Sequence, residues 1–189
     1  GVYASGDTVL VTAIPSPGFV FDGWSGACSG TGGCTVTMDS SKMVIANFSQ
    51  QFTLTTIASP LVGGTLSGAG VYTSGDTVVV TATPNASYIF NQWFGDCTGT
   101  GLCTVVMDAD KTVTADFLQQ QFALSTVADP SAGGTLTGAG VYDSGDIAIV
   151  TATPSAGFTF DRWSGACSGT GGCTVMMDSS KTITANFTP

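Results

Sequence analysis

The chain has 189 residues, a net charge of −9 and only 9% charged residues, with four basic side chains (Lys42, Lys111, Arg162, Lys181), thirteen aspartates, no glutamate and no histidine. So few cations argue against binding nucleic acid or an anionic membrane surface, both of which recruit lysine and arginine. No run of about 18 apolar residues exists to span a bilayer, and without histidine the usual hydrolytic triads and most metal sites are excluded.

The chain opens on Gly1-Val2-Tyr3, which recurs 69 residues later as Gly70-Val71-Tyr72 and 70 residues after that as Gly140-Val141-Tyr142. Such a period is longer than that of helical solenoids, and each unit is long enough to fold as a small domain. The predicted domains are 1–48, 52–117 and 122–187, with short linkers at 49–51 and 118–121. The first lacks the leading segment that the other two carry at 52–66 and 122–136.

In the second repeat, "FTLTTIA" (52–58) and "GGTL" (63–66) flank a turn-like "SPLVGG" and are predicted to pair as a hairpin. "TVVVTATP" (77–84) is the clearest strand, closed by a proline that cannot continue a central ladder. "YIFNQWF" (88–94) is aromatic and extended, and "CTVVMD" (103–108) and "KTVTADF" (111–117) follow as strands around a tight "DADK" turn. β-Branched and aromatic residues dominate and no helical period is evident, which predicts an all-β, antiparallel fold. Alternation puts Cys103, Val105 and Met107 on one face, and Val113, Ala115 and Phe117 on one face of the next strand. Trp93 falls out of phase with Tyr88 and Phe90, so a bulge is expected near Asn91-Gln92, Asp22-Gly23 and Asp161-Arg162.

Each repeat carries one cysteine pair: Cys28/Cys34, Cys97/Cys103 and Cys167/Cys173. Two sulfurs per unit make half a tetrahedral zinc site, and the spacing is not that of a thioredoxin-like redox pair. The regular pairing reads as three local disulfides, each contributing about 2 kcal/mol by loop entropy. Disulfides imply an oxidising compartment, hence an extracellular or cell-surface location. Trp24, Trp93 and Trp163 stand beside these loops, either packed over the disulfide as a core anchor or exposed to stack on a sugar. The aspartates Asp39, Asp108 and Asp178, and Asp7, Asp76 and Asp146, occupy turn positions, so turn formation accounts for them better than paired-carboxylate catalysis or calcium binding.

The segments "FDGWSGACSGTGGC" (21–34), "FNQWFGDCTGTGLC" (90–103) and "FDRWSGACSGTGGC" (160–173), with the closing "MDSSKMVIANF", "MDADKTVTADF" and "MMDSSKTITANF", resemble the divergent InlB B-repeat family over essentially the whole chain. The resemblance implies tandem modules of a bacterial secreted or surface protein, a β-grasp-like fold or small sandwich, a stalk or adhesive role, and no catalytic residue. No cofactor is expected.

Two readings follow. In the first, the repeats form a non-enzymatic stalk or filament, self-associating laterally or end to end, because so few lysines guard the strand edges. Outward-facing Leu10, Val79 and Ile149 favour this reading. In the second, the tryptophan or "SGTGG" loop holds a glycan or host protein. Residues 25–34 recur unchanged at 164–173, whereas the middle repeat differs at Phe94, Asp96 and Leu102.

Overall fold

The computed structural model describes residues 1–189. The first repeat contributes β1 (Thr8–Val11), β2 (Phe19–Gly26) and β3 (Cys34–Thr37). β4 (Val44–Ser59) closes the first repeat and opens the second without a break. β5 (Gly64–Ser67), β6 (Gly70–Thr73), β7 (Thr77–Pro84), β8 (Tyr88–Gly95), β9 (Cys103–Val106) and β10 (Lys111–Gln119) complete the second. The third comprises β11 (Gln121–Asp129), β12 (Gly134–Thr137), β13 (Gly140–Asp143), β14 (Ile147–Pro154), β15 (Thr159–Gly165), β16 (Cys173–Met176) and β17 (Lys181–Thr188). There is no α-helix, and no helix is long and apolar enough to cross a membrane.

The chain resolves into two compact units. One comprises Gly1–Ala58, Leu66–Ala82 and Gln92–Ala115; the other comprises Ser59–Thr65, Thr83–Asn91 and Asp116–Pro189. The division runs through the second repeat, while the first and third each lie within one unit.

The third repeat shows the complete plan. A four-stranded sheet runs in the order β13-β11-β17-β15, and a three-stranded sheet in the order β12-β14-β16. Alternation sends one face of each sheet inward. Leu124, Val150, Trp163, Met177, Ile183 and Phe187 meet in a single core supplied by both sheets. The fold is therefore all-β, as expected, with the layers of a small sandwich. One pairing departs from the antiparallel pattern: β11 and β17 run parallel, Leu124 opposite Lys181 through Asp129 opposite Asn186. Parallel neighbours need a long crossover, and the whole intervening repeat supplies it.

The expected leading hairpin is instead a corner. β11 pairs with β13 and β17, whereas β12 pairs with β14 in the other sheet. The turn after β11 is closed by the Gly133 N–H donating to the Pro130 carbonyl at 2.8 Å. Gly133 and Gly134 then cross the Phe187 ring so closely that a Cβ on either would collide with it. Side-chain-free residues at this point let the chain pass from one layer to the other. In the second repeat, Gly63 and Gly64 cross Phe117 in the same way.

Residues 1–48 show part of this plan. The sheet pairings there are β1 with β3 and β2 with β4. The strand equivalent to the eight-residue β7 and β14 stops after four residues, at Val11. In the third repeat the second half of that strand pairs with β12.

Candidate functional site: the tryptophan–disulfide loop

The register of β2 against β4 shifts between Phe21 and Gly23, and that of β15 against β17 between Phe160 and Arg162. One extra residue, Asp22 or Asp161, therefore bulges out and returns the tryptophan to the face of the preceding phenylalanine. The rings then meet: Phe21 and Trp24 centroids lie 5.0 Å apart, and those of Phe160 and Trp163 4.9 Å apart.

The cysteines pair within each repeat, as Cys28–Cys34, Cys97–Cys103 and Cys167–Cys173, and no cysteine is free. Cys34, Cys103 and Cys173 are each 1% exposed, so the second sulfur of every bridge belongs to the core. Above each bridge the loop folds back over the tryptophan. Trp24, Trp93 and Trp163 donate their backbone N–H to the carbonyls of Gly30, Gly99 and Gly169. Their indole Nε1–H donates to the carbonyls of Gly32, Gly101 and Gly171, at 2.9 Å in each case. Both N–H donors of each tryptophan are thus used inside the repeat. The three tryptophans are 8%, 5% and 4% exposed as whole residues. Of the two sequence-based roles, this geometry is that of a core anchor; a sugar-stacking platform needs an open ring face. The glycine carbonyls that hold the indole were not singled out from sequence, although the eight-residue Trp-to-Gly spacing recurs in all three copies.

Glycine at the strand end is also required. Gly26, Gly95 and Gly165 have φ of 91°, 88° and 90°, and a Cβ on each would strike the carbonyl oxygen of Met43, Thr112 or Thr182. Both the left-handed backbone and the close approach exclude a side chain.

The aspartates act in turns. Asp7, Asp76 and Asp146 accept the backbone N–H of Ala4, Thr73 and Asp143 at 2.8, 2.8 and 3.1 Å. Asp39, Asp108 and Asp178 also pair with the lysine three residues on, Lys42, Lys111 and Lys181, at 2.6, 2.7 and 2.8 Å. The hydrogen bond from that lysine holds each of these carboxyls below the ordinary aspartate value. The Lys111 ammonium is held above its ordinary value, chiefly by the bond to Asp108. No three cysteine or aspartate side chains converge as metal ligands.

Within the loop segments 25–34, 94–103 and 164–173, the second repeat alone carries large exposed apolar side chains: Phe94 precedes the Cys97–Cys103 loop and Leu102 lies within it. Elsewhere the loop presents small and polar residues.

These features define an array of small disulfide-bonded β repeats, each closed around a tryptophan. The family model of the divergent InlB B-repeat domain matches three times, over residues 1–52, 54–121 and 124–189, and the chain belongs to that family. No curated protein and no solved structure matches it. The disulfides and membership of a surface-repeat family are both consistent with an extracellular protein.

Proposed function

We propose that the chain is a non-enzymatic structural array, a stalk or filament-forming segment of a bacterial secreted or cell-surface protein. The linkers carry this reading. A flexible tether leaves its backbone groups to water, but these are hydrogen-bonded to the repeats on both sides. In the linker after the first repeat, the Gln51 N–H donates to the Gly18 carbonyl at 2.8 Å, and the Gln50 carbonyl accepts from Ser74 at 2.8 Å. In the linker after the second, the Gln120 N–H donates to Ser87 at 2.7 Å, and its carbonyl accepts from Ser144 at 2.8 Å. The Ser144 and Ser87 hydroxyls add a further contact at 3.0 Å. The first of these linkers is moreover the middle of β4, a continuous strand of 16 residues.

Self-association with further copies belongs to the same proposal. Ile147, Ile149 and Met176 are exposed on the outer face of the three-stranded sheet of the third repeat, and Leu10 and Val79 are exposed at the equivalent strands of the others. Like charge opposes such contacts. Multi-angle light scattering at low and high salt tests this: mass is expected to rise with both concentration and salt. A monomer under every condition would leave a passive spacer.

The exposed Phe94 and Leu102 favour a second reading, an adhesin module that holds a glycan or host protein on the middle loop. Acrylamide quenching bears on the tryptophan version of that reading. Poorly quenched emission is expected for a scaffold; strongly quenched emission that a glycan protects would support binding.

A further inference from the structure

The loop of the second repeat differs from the other two in its outward chemistry alone. Its bridge, its indole bond to Gly101 and its left-handed Gly95 all have counterparts in the flanking repeats. Yet Phe94 stands where those repeats have Ser25 and Ser164, Asp96 where they have Ala27 and Ala166, and Leu102 where they have Gly33 and Gly172. Phe94 is 48% exposed and Leu102 80% exposed. Serine and glycine support the same loop on either side, so packing within the repeat does not call for these two side chains.

Phe94 has an apolar neighbour on its sheet. In the third repeat, Val127, Thr184 and Ser164 lie in one row across β11, β17 and β15. The corresponding strands of the second repeat, β4, β10 and β8, run in the same order. The equivalent row is Ile57, Thr114 and Phe94, with Ile57 also exposed. At the loop, the bridge holds the Cα atoms of Cys97 and Cys103 5.6 Å apart, so their chain neighbours Asp96 and Leu102 flank it. Single exposed apolar residues are ordinary, but an aromatic and two aliphatic side chains gathered around one loop mark a contact surface.

Charge narrows the partner. Residues 92–115 carry three aspartates, Asp96, Asp108 and Asp110, against one cation, Lys111. The equivalent segments 23–46 and 162–185 carry one aspartate each, against one cation and two. The Lys111 ammonium lies 2.7 Å from Asp108 and 3.6 Å from Asp96, so it is already engaged and carboxylate remains in excess beside the exposed phenyl ring. A second copy of the chain does not complement this surface. All four of its cations are paired with an aspartate of the same repeat, Lys42 with Asp39, Lys111 with Asp108, Arg162 with Asp161 and Lys181 with Asp178. An acidic partner is opposed by like charge.

We propose that the Phe94–Leu102 surface of the second repeat docks a segment of another protein in which an arginine or lysine stands within two residues of an aliphatic or aromatic side chain. The cation lies over the Phe94 ring and pairs with Asp96, and the apolar neighbour packs on Leu102 or Ile57. The inference rests on the adhesin reading of the middle loop and names the chemistry of what that loop holds.

The test selects a random heptapeptide library, displayed on phage, against the full chain after depletion on the Phe94→Ser, Leu102→Gly chain. Those substitutions copy the flanking repeats, which keeps the fold, and they leave the net charge unchanged, which removes peptides attracted merely by an acidic protein. Selected peptides are expected to carry arginine or lysine beside an apolar residue and to bind the full chain about tenfold or more tightly than the depleting variant. Asp96→Ala, again the residue of the flanking repeats, is expected to weaken them about threefold or more and to flatten their salt dependence. Peptides that depend on Phe94 and Leu102 but lack a cation, or that ignore Asp96→Ala, overturn the inference and leave the adhesin reading standing. A library that yields no peptide dependent on Phe94 and Leu102 also overturns it, and a glycan array probed with the same two chains then decides the adhesin reading separately.

Discussion

Phe48, Phe117 and Phe187 occupy the same position in three copies of one fold, and their substitution by alanine should have unequal effects. Phe187 is 4% exposed, meets Phe160 edge-on at 6.0 Å and lies beneath the Gly133-Gly134 backbone. Its removal leaves an enclosed cavity, so Phe187→Ala is expected to cost about 3–5 kcal/mol. Phe117, 2% exposed under Gly63-Gly64, falls in the same range. Phe48 keeps its contact with Phe21 at 5.6 Å but is 39% exposed and uncovered. Only part of the transfer free energy is at stake and no closed cavity forms, so Phe48→Ala is expected to cost about 1–2 kcal/mol. Native-state hydrogen exchange read by mass spectrometry, repeat by repeat, compares them without assuming a single unfolding step. A gap of about 2 kcal/mol corresponds to roughly 30-fold in the local opening equilibrium. If Phe48→Ala opens the first repeat as much as Phe187→Ala opens the third, burial beneath the Gly133-Gly134 corner does not set the cost of losing the ring.

Other substitutions probe the loop and the turns. Replacing Cys167 and Cys173 together by serine should lower the stability of the third repeat by about 2 kcal/mol in urea unfolding, from the entropy of so short a loop, with the far-ultraviolet spectrum retained. Gly165→Ala, at φ 90° and against the Thr182 carbonyl, should destabilise by more than 1 kcal/mol or so, whereas alanine at Gly171, where a Cβ meets nothing within 4 Å, should not; thermal melts of the two distinguish them. The Asp39, Asp108 and Asp178 carboxyls are held below the ordinary aspartate value by their lysines. Their contribution is therefore complete above the unfolded value near about pH 4 and is lost as pH falls through the lower folded value. Melting temperature should decline on acidification in that window, and Lys181→Met should flatten the share due to Asp178; a decline unchanged by that substitution would deny the pair any role.

Much of the fold is written in short-range pattern. Alternation gave the inward faces of Cys103, Val105 and Met107 and of Val113, Ala115 and Phe117, because residues on one side of a strand share one fate. The phase slip between Phe90 and Trp93 pointed to a bulge, and the register shifts in the first and third repeats lie at the matching residues. Sheet membership was less legible. Phe52–Ala58 and Gly63–Leu66 look like a hairpin by spacing, but partner choice depends on residues far along the chain, which local alternation does not encode. The parallel pairing of β11 with β17 was hidden for the same reason. The hold of Gly171 on the Trp163 indole was likewise illegible, since it uses a backbone carbonyl that any residue would supply.

The central claim is that these repeats are joined by structured linkers rather than tethers. Amide exchange at Gln51, Ser74, Gln120 and Ser144, resolved by nuclear magnetic resonance, tests it most directly. Protection comparable with that of the adjoining strands is the expected result. Exchange at the rate of an unstructured peptide at all four amides would contradict the claim and leave the repeats as independent beads on a flexible string.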